Sequence, residues 1–128
     1  MAFDVLLKIA MPRHLTQSQI ESALKRNKSV ECFLGATAEG QISWLSLTPN
    51  FGAYELWRFD AFDDGSEDYL DVYSFEMVEP DFLDPLRVFD GVSEALAYAE
   101  ENHSADKSRW VNEALVQDEY ADLLASKK

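Results

Sequence analysis

The sequence predicts an α+β domain: a mainly antiparallel sheet of about five strands, in the order β-α-β-β-β-β-α-α, with helices packed on one face. Three observations carry this expectation. Five short runs rich in β-branched and aromatic residues are bounded by turn residues, a capping box opens a helix after the first run, and two stretches of helical apolar spacing close the chain. Strands joined by tight turns pair antiparallel, and helices that follow the strands rather than alternate with them segregate from the sheet. The 128 residues fit a single globular domain, 1–128, with no internal repeat or linker.

Phe3 to Ala10 reads as a strand ended by Pro12, and its Asp4 and Lys8 do not suit a signal peptide. Thr16 and Gln19 form a capping box between Leu15 and Ile20, so a helix begins there, with Ile20, Ala23 and Leu24 as its apolar stripe and Asn27 as its end. Val30 to Thr37 and Gln41 to Leu47 are two strands joined at Ala38-Glu39-Gly40. Ile42, Trp44 and Ser46 fall on one face of the second strand, Leu45 and Leu47 on the other. Pro49 to Gly52 is a turn.

Tyr54 to Phe62 and Tyr69 to Val78 are expected to form an aromatic hairpin across the acidic tip Asp63 to Asp68. Pro80 and Pro85 mark a loop. Asp90-Gly91 opens a helix lined by Val92, Ala95, Leu96 and Ala99. Ser108 is expected to cap a last helix, to which Trp110, Val111, Ala114, Leu115, Ala121 and Leu124 bring apolar contacts.

The formal net charge is −13, and its placement is uneven. Residues 1–28 hold five bases against two acids, residues 29–106 hold 18 acids against Arg58 and Arg87, and residues 107–128 balance at four of each. Such a field repels phosphate backbones and anionic membrane surfaces, so neither direct nucleic-acid binding nor membrane association is expected. It favours solubility and the approach of a basic protein surface. The lone Cys32 permits no internal disulfide and suits a reducing, cytoplasmic setting. No apolar stretch is long enough for a transmembrane helix.

The sequence carries little recognisable chemistry. His14 and His103 have no partners at metal-ligand spacing, and Cys32 sits among apolar residues as a small hydrophobe. Asp60 to Asp71 fails as a calcium loop because Phe62 stands at its third position and Asp71 at its twelfth. Nucleophile-elbow, phosphate-loop and dinucleotide fingerprints are absent from the sequence. No metal or cofactor is expected, and no residue set commits the chain to catalysis.

The functional expectation is therefore a small, bacterial-type interaction module, inhibitor- or immunity-like or regulatory. It would dock a basic protein through Asp60, Asp63, Asp64, Glu67, Asp68 and Asp71. Trp44, Trp57 and Tyr73 are candidates for an interaction hot spot. Alternatives are a small-ligand binder or enzyme, with those aromatics and some carboxylates lining a pocket, and a nucleic-acid mimic. A homodimer is left open.

Overall fold

The computed structural model describes residues 13–79 and 84–127. The expected strand from Phe3 to Ala10 lies outside them. Helix α1, Gln17–Lys25, starts as its capping box dictates. Thr16 Oγ1 accepts from the Gln19 amide at 3.2 Å, and Gln19 Oε1 accepts from the Thr16 amide at 2.8 Å. It ends in a left-handed Asn27 (φ 62°), whose amide reaches the Leu24 carbonyl while that of Lys28 reaches Ala23.

Strands β1 (Val30–Ala38), β2 (Gln41–Asn50) and β3 (Ala53–Phe62) form an antiparallel meander. Two three-residue strands extend it: β4 (Arg87–Phe89) pairs with β3, and β5 (Trp110–Asn112) pairs with β1. The order across the sheet is β4-β3-β2-β1-β5, antiparallel throughout. Helices α2 (Val92–His103) and α3 (Val116–Ser126) complete the fold.

The alternation along β2 separates two cores. Leu45 and Leu47 join Val30, Cys32 and Leu56 beneath α1 and α2, where Ile20, Leu24, Ala95, Leu96 and Ala99 are buried. Ile42 and Trp44 join Ala61 on the opposite face, beneath Val116 and Tyr120 of α3 and beneath Val72 and Phe75. Two helices thus share one face, and the expectation that all helices pack there is corrected by the third, which crosses to the other. The crossing gives the apolar residues of the second face a cover of their own.

Three local expectations are corrected. Tyr69–Val78 is not a strand. After β3 the chain makes a tight bridge between Ser66 and Tyr69, a 3₁₀ turn at Val72–Ser74, and one return bridge between Met77 and Ala61. Its β-forming residues are used to lay Val72 and Phe75 across the sheet rather than to lengthen it, so tertiary burial overrides propensity. Trp110 and Val111 are in β5, not a helix. Ser108 lies in the 3₁₀ turn Lys107–Arg109, where its amide is capped by Asp106, and α3 begins only after Ala114 adopts φ 81°. Strand β4, within a stretch carrying no strand signal, pairs with the outer edge of β3 and covers part of it.

Candidate functional site

The acidic segment that leaves β3 is irregular but closely held. At its start the Asp63 amide donates to the Gly40 carbonyl, and the buried Tyr120 hydroxyl donates to Asp63 Oδ1 while accepting from the Gly65 amide at 3.1 Å. Lys127 Nζ lies 3.1 Å from Asp63 Oδ2. A Cβ at Gly65 would stand 2.5 Å from the Tyr120 hydroxyl, so only glycine fits this close approach. Farther on, Val72 and Phe75 are buried and act as plugs. The Tyr73 hydroxyl donates to Glu31 Oε1 at 2.6 Å. At its end the Val78 amide returns to the Asp60 carbonyl.

The six acidic candidates divide accordingly. Asp60 sits on β3, on the face of α2, away from the rest. It accepts from Ser43 Oγ (2.5 Å) and Arg58 Nε (3.1 Å), and Arg58 in turn reaches His103 Nδ1 at 3.0 Å. Asp63 points inward at Tyr120 and Lys127. Asp64, Glu67, Asp68 and Asp71 are exposed along one short stretch, with Glu67 and Asp68 at the tip of the Ser66–Tyr69 turn. Among the described residues, no Lys or Arg forms an ion pair with Asp64, Asp68 or Asp71.

The aromatic candidates fall into one chain of contacts on the α3 side of the sheet. Trp57 stacks on Phe59 (6.4 Å between centroids), Phe59 on Trp44 (5.4 Å), and Trp44 meets Tyr73 edge-on at 6.0 Å. Trp44 is buried and serves the core. Trp57 is half-buried, and only Tyr73, at 41 %, is exposed. Tyr69 is equally exposed. It lies on the acidic stretch, its ring against Phe75. Beside it a shallow groove of about 250 Å³ opens between Leu70 and the outer side of α3 (Ala121, Leu124, Ala125), with Glu67 on its wall. Its signal in sequence was slight: Leu70 and three small or apolar residues of a helix read as ordinary core.

Glu31 was also missed. It is a buried carboxylate on β1, accepting from Tyr73 and from the Ala114 amide at 3.0 Å. Burial pushes its pKa above the ordinary carboxylate value, with the two hydrogen bonds opposing. Burial, reinforced by the Glu31 charge, likewise raises the Tyr73 phenol. A carboxyl of raised pKa beside aromatics is the pattern of a ligand pocket. Here Tyr73 and the Ala114 amide both donate to its Oε1.

Cys32 and His103 are held by their surroundings. Burial, helped by the negative charges of Glu119 and Asp106, pushes the Cys32 thiol up to about 12, which leaves it protonated and unreactive at neutral pH. Burial and the neighbouring Arg58 lower the His103 pKa and keep it neutral against that guanidinium. Among the described residues no three His, Cys, Asp or Glu side chains converge to hold a metal ion, and no helix is long and apolar enough to cross a membrane. The arrangement can therefore bind through carboxylates, two tyrosines and a groove. Comparison of the chain with protein-family models, curated proteins and solved structures finds no match.

Proposed function

We propose that this protein is an interaction module that docks a basic protein partner through the stretch 64–73 and the adjoining groove. The observation that carries the reading is the separation of roles along one segment. Asp63, Gly65, Val72, Phe75 and the Tyr73 hydroxyl anchor it to the domain, while Asp64, Glu67, Asp68 and Asp71 are exposed and the rings of Tyr69 and Tyr73 are each open on one side. A pre-ordered acidic surface attracts a cationic partner at long range and gives up little entropy on contact. Exposed tyrosines supply rigid contact area, and the Leu70–Leu124 groove accepts an apolar side chain beside the partner's cations. Steric occlusion of the partner, as by an inhibitor or immunity-like protein, is the mechanism such a surface offers. The single buried cysteine suits a reducing compartment, and we place the protein in the cytoplasm.

The test is a paired affinity purification from the source cell. The bait is compared with a variant carrying Asp64→Asn, Glu67→Gln, Asp68→Asn and Asp71→Asn, and with a control carrying Glu94→Gln and Glu101→Gln on α2. Exposed residues of this kind change stability within about 0.5 kcal/mol, so all three baits fold. The expected result is a basic protein retained by the parent and the control and lost from the segment variant. Equal retention by all three would remove this surface from consideration.

A further inference from the structure

The turn between β2 and β3 holds a residue that its geometry disfavours. Asn50 pairs with Ala53, and the two residues between them, Phe51 (φ 51°) and Gly52 (φ 83°), both have positive φ. A two-residue turn of this form favours Asn-Gly, and a phenylalanine in the left-handed region is strained. At 104 % relative exposure its ring gains no burial in return. Strain kept at an exposed aromatic, with no packing to show for it, marks a functional position.

The surroundings say what it would meet. The C-terminal end of α1 lies beside the turn, where Leu24, Lys25 and Asn27 share a groove of about 370 Å³ with Pro49, Phe51 and Tyr54. Lys25, Arg26 and Lys28 are all exposed, and among the described residues none forms an ion pair. Of the acids near in sequence, Glu55 is engaged by Asn50 and Trp57, and Glu21, one helical turn before Lys25, is half-buried.

We propose that this tip is a peripheral contact for an anionic lipid surface. Phe51 enters the headgroup–acyl boundary, Tyr54 lies at headgroup level, and Lys25, Arg26 and Lys28 engage the lipid phosphates and carboxylates. The acidity that disfavours such a surface for the chain as a whole is spread through residues 29–106. Beside the turn itself, among the described residues, it amounts to Glu55, already engaged, and the exposed Asp90, which follows Phe89, the strand partner of Tyr54. At physiological ionic strength charges are screened beyond about 8 Å, so an approach led by the basic tip is governed by the tip. A protruding knob needs no shaped cavity in a bilayer, whereas a protein partner would have to supply an acidic-rimmed pocket for it. One aromatic and three cations give weak, reversible binding that salt suppresses.

Co-sedimentation of the full chain with phosphatidylcholine vesicles, with and without phosphatidylserine, tests this at physiological ionic strength, where the distant acids are screened. Binding is expected only with phosphatidylserine. Phe51→Asn, which suits the turn better and so folds at least as stably, is expected to weaken it about tenfold. A variant with Lys25→Gln, Arg26→Gln and Lys28→Gln is expected to abolish it while its melting curve shows it folded. Absence of binding to the anionic vesicles, or binding that both variants retain, overturns the proposal; absence would leave the tip to a protein pocket. The acidic stretch 64–73 is untouched in these variants, so this result and that of the paired purification are independent.

Discussion

Removing both Arg13 and Arg109 is expected to destabilise the fold by about 3–5 kcal/mol, a large share of the roughly 5–15 kcal/mol that holds a domain together. The reason is Glu119. Its side chain is 1 % exposed on the sheet side of α3. Its two oxygens are held by Arg13 Nη1 (2.8 Å), His14 Nε2 (2.9 Å) and Arg109 Nη2 (3.1 Å). Without the two arginines the buried carboxylate keeps only His14 as a partner among the described residues and has no access to water. Taking away the cations therefore strands a buried charge, which costs more than the ion pairs contribute. Adding Glu119→Gln to the double variant should recover part of the loss, since the stranded charge is gone. Denaturant melts of the three proteins check this, and an unchanged midpoint in the double variant would contradict it.

Glu31→Ala is expected to cost about 2 kcal/mol, through the loss of a buried acceptor for the Tyr73 hydroxyl and the Ala114 amide. Glu31→Gln keeps an acceptor for both and behaves differently. Because burial raises the Glu31 pKa in the folded state, the fold binds its proton more tightly than the unfolded chain does. Its contribution is therefore fully present below the unfolded value near 4.5 and declines as pH rises through the folded value. Relative to the parent, Glu31→Gln should gain stability on going from pH 4 to pH 7. Thermal melts across that range check the sign, and a gain on acidification would contradict it.

Local elements with a complete signature were legible in the sequence. The Thr16–Gln19 box placed α1, the spacing of Val92, Ala95, Leu96 and Ala99 placed α2 and its buried face, and the alternation of Trp44 and Leu45 placed β2 with its two faces. What failed was decided at long range. The aromatic run after Asp68 has the composition of a strand, yet Val72 and Phe75 are buried with Trp44 and Ala61 instead of lengthening the ladder. Three-residue strands such as Arg87–Phe89 and Trp110–Asn112 carry too little pattern to be seen, and their existence depends on partners 30 or more residues distant.

The site was legible only in its charge. The density of acids between Asp60 and Asp71 was plain, but not which of them face inward. Asp63 is drawn in by Tyr120 and Asp60 lies across the sheet, both contacts made by residues remote in sequence or on another strand. Tyr69 and the Leu70–Leu124 groove became part of the surface because α3 crossed to that face.

The most direct test of the central claim is an amide chemical-shift titration of the protein with an oligo-lysine peptide at low salt. If the outward carboxylates of one anchored segment make the binding surface, the largest shifts fall on residues 64–73 and on the groove at Leu70, Leu124 and Ala125. Shifts of equal size at Glu94, Glu100 and Glu101 on α2 would show diffuse attraction to an acidic surface, and would contradict a built docking site.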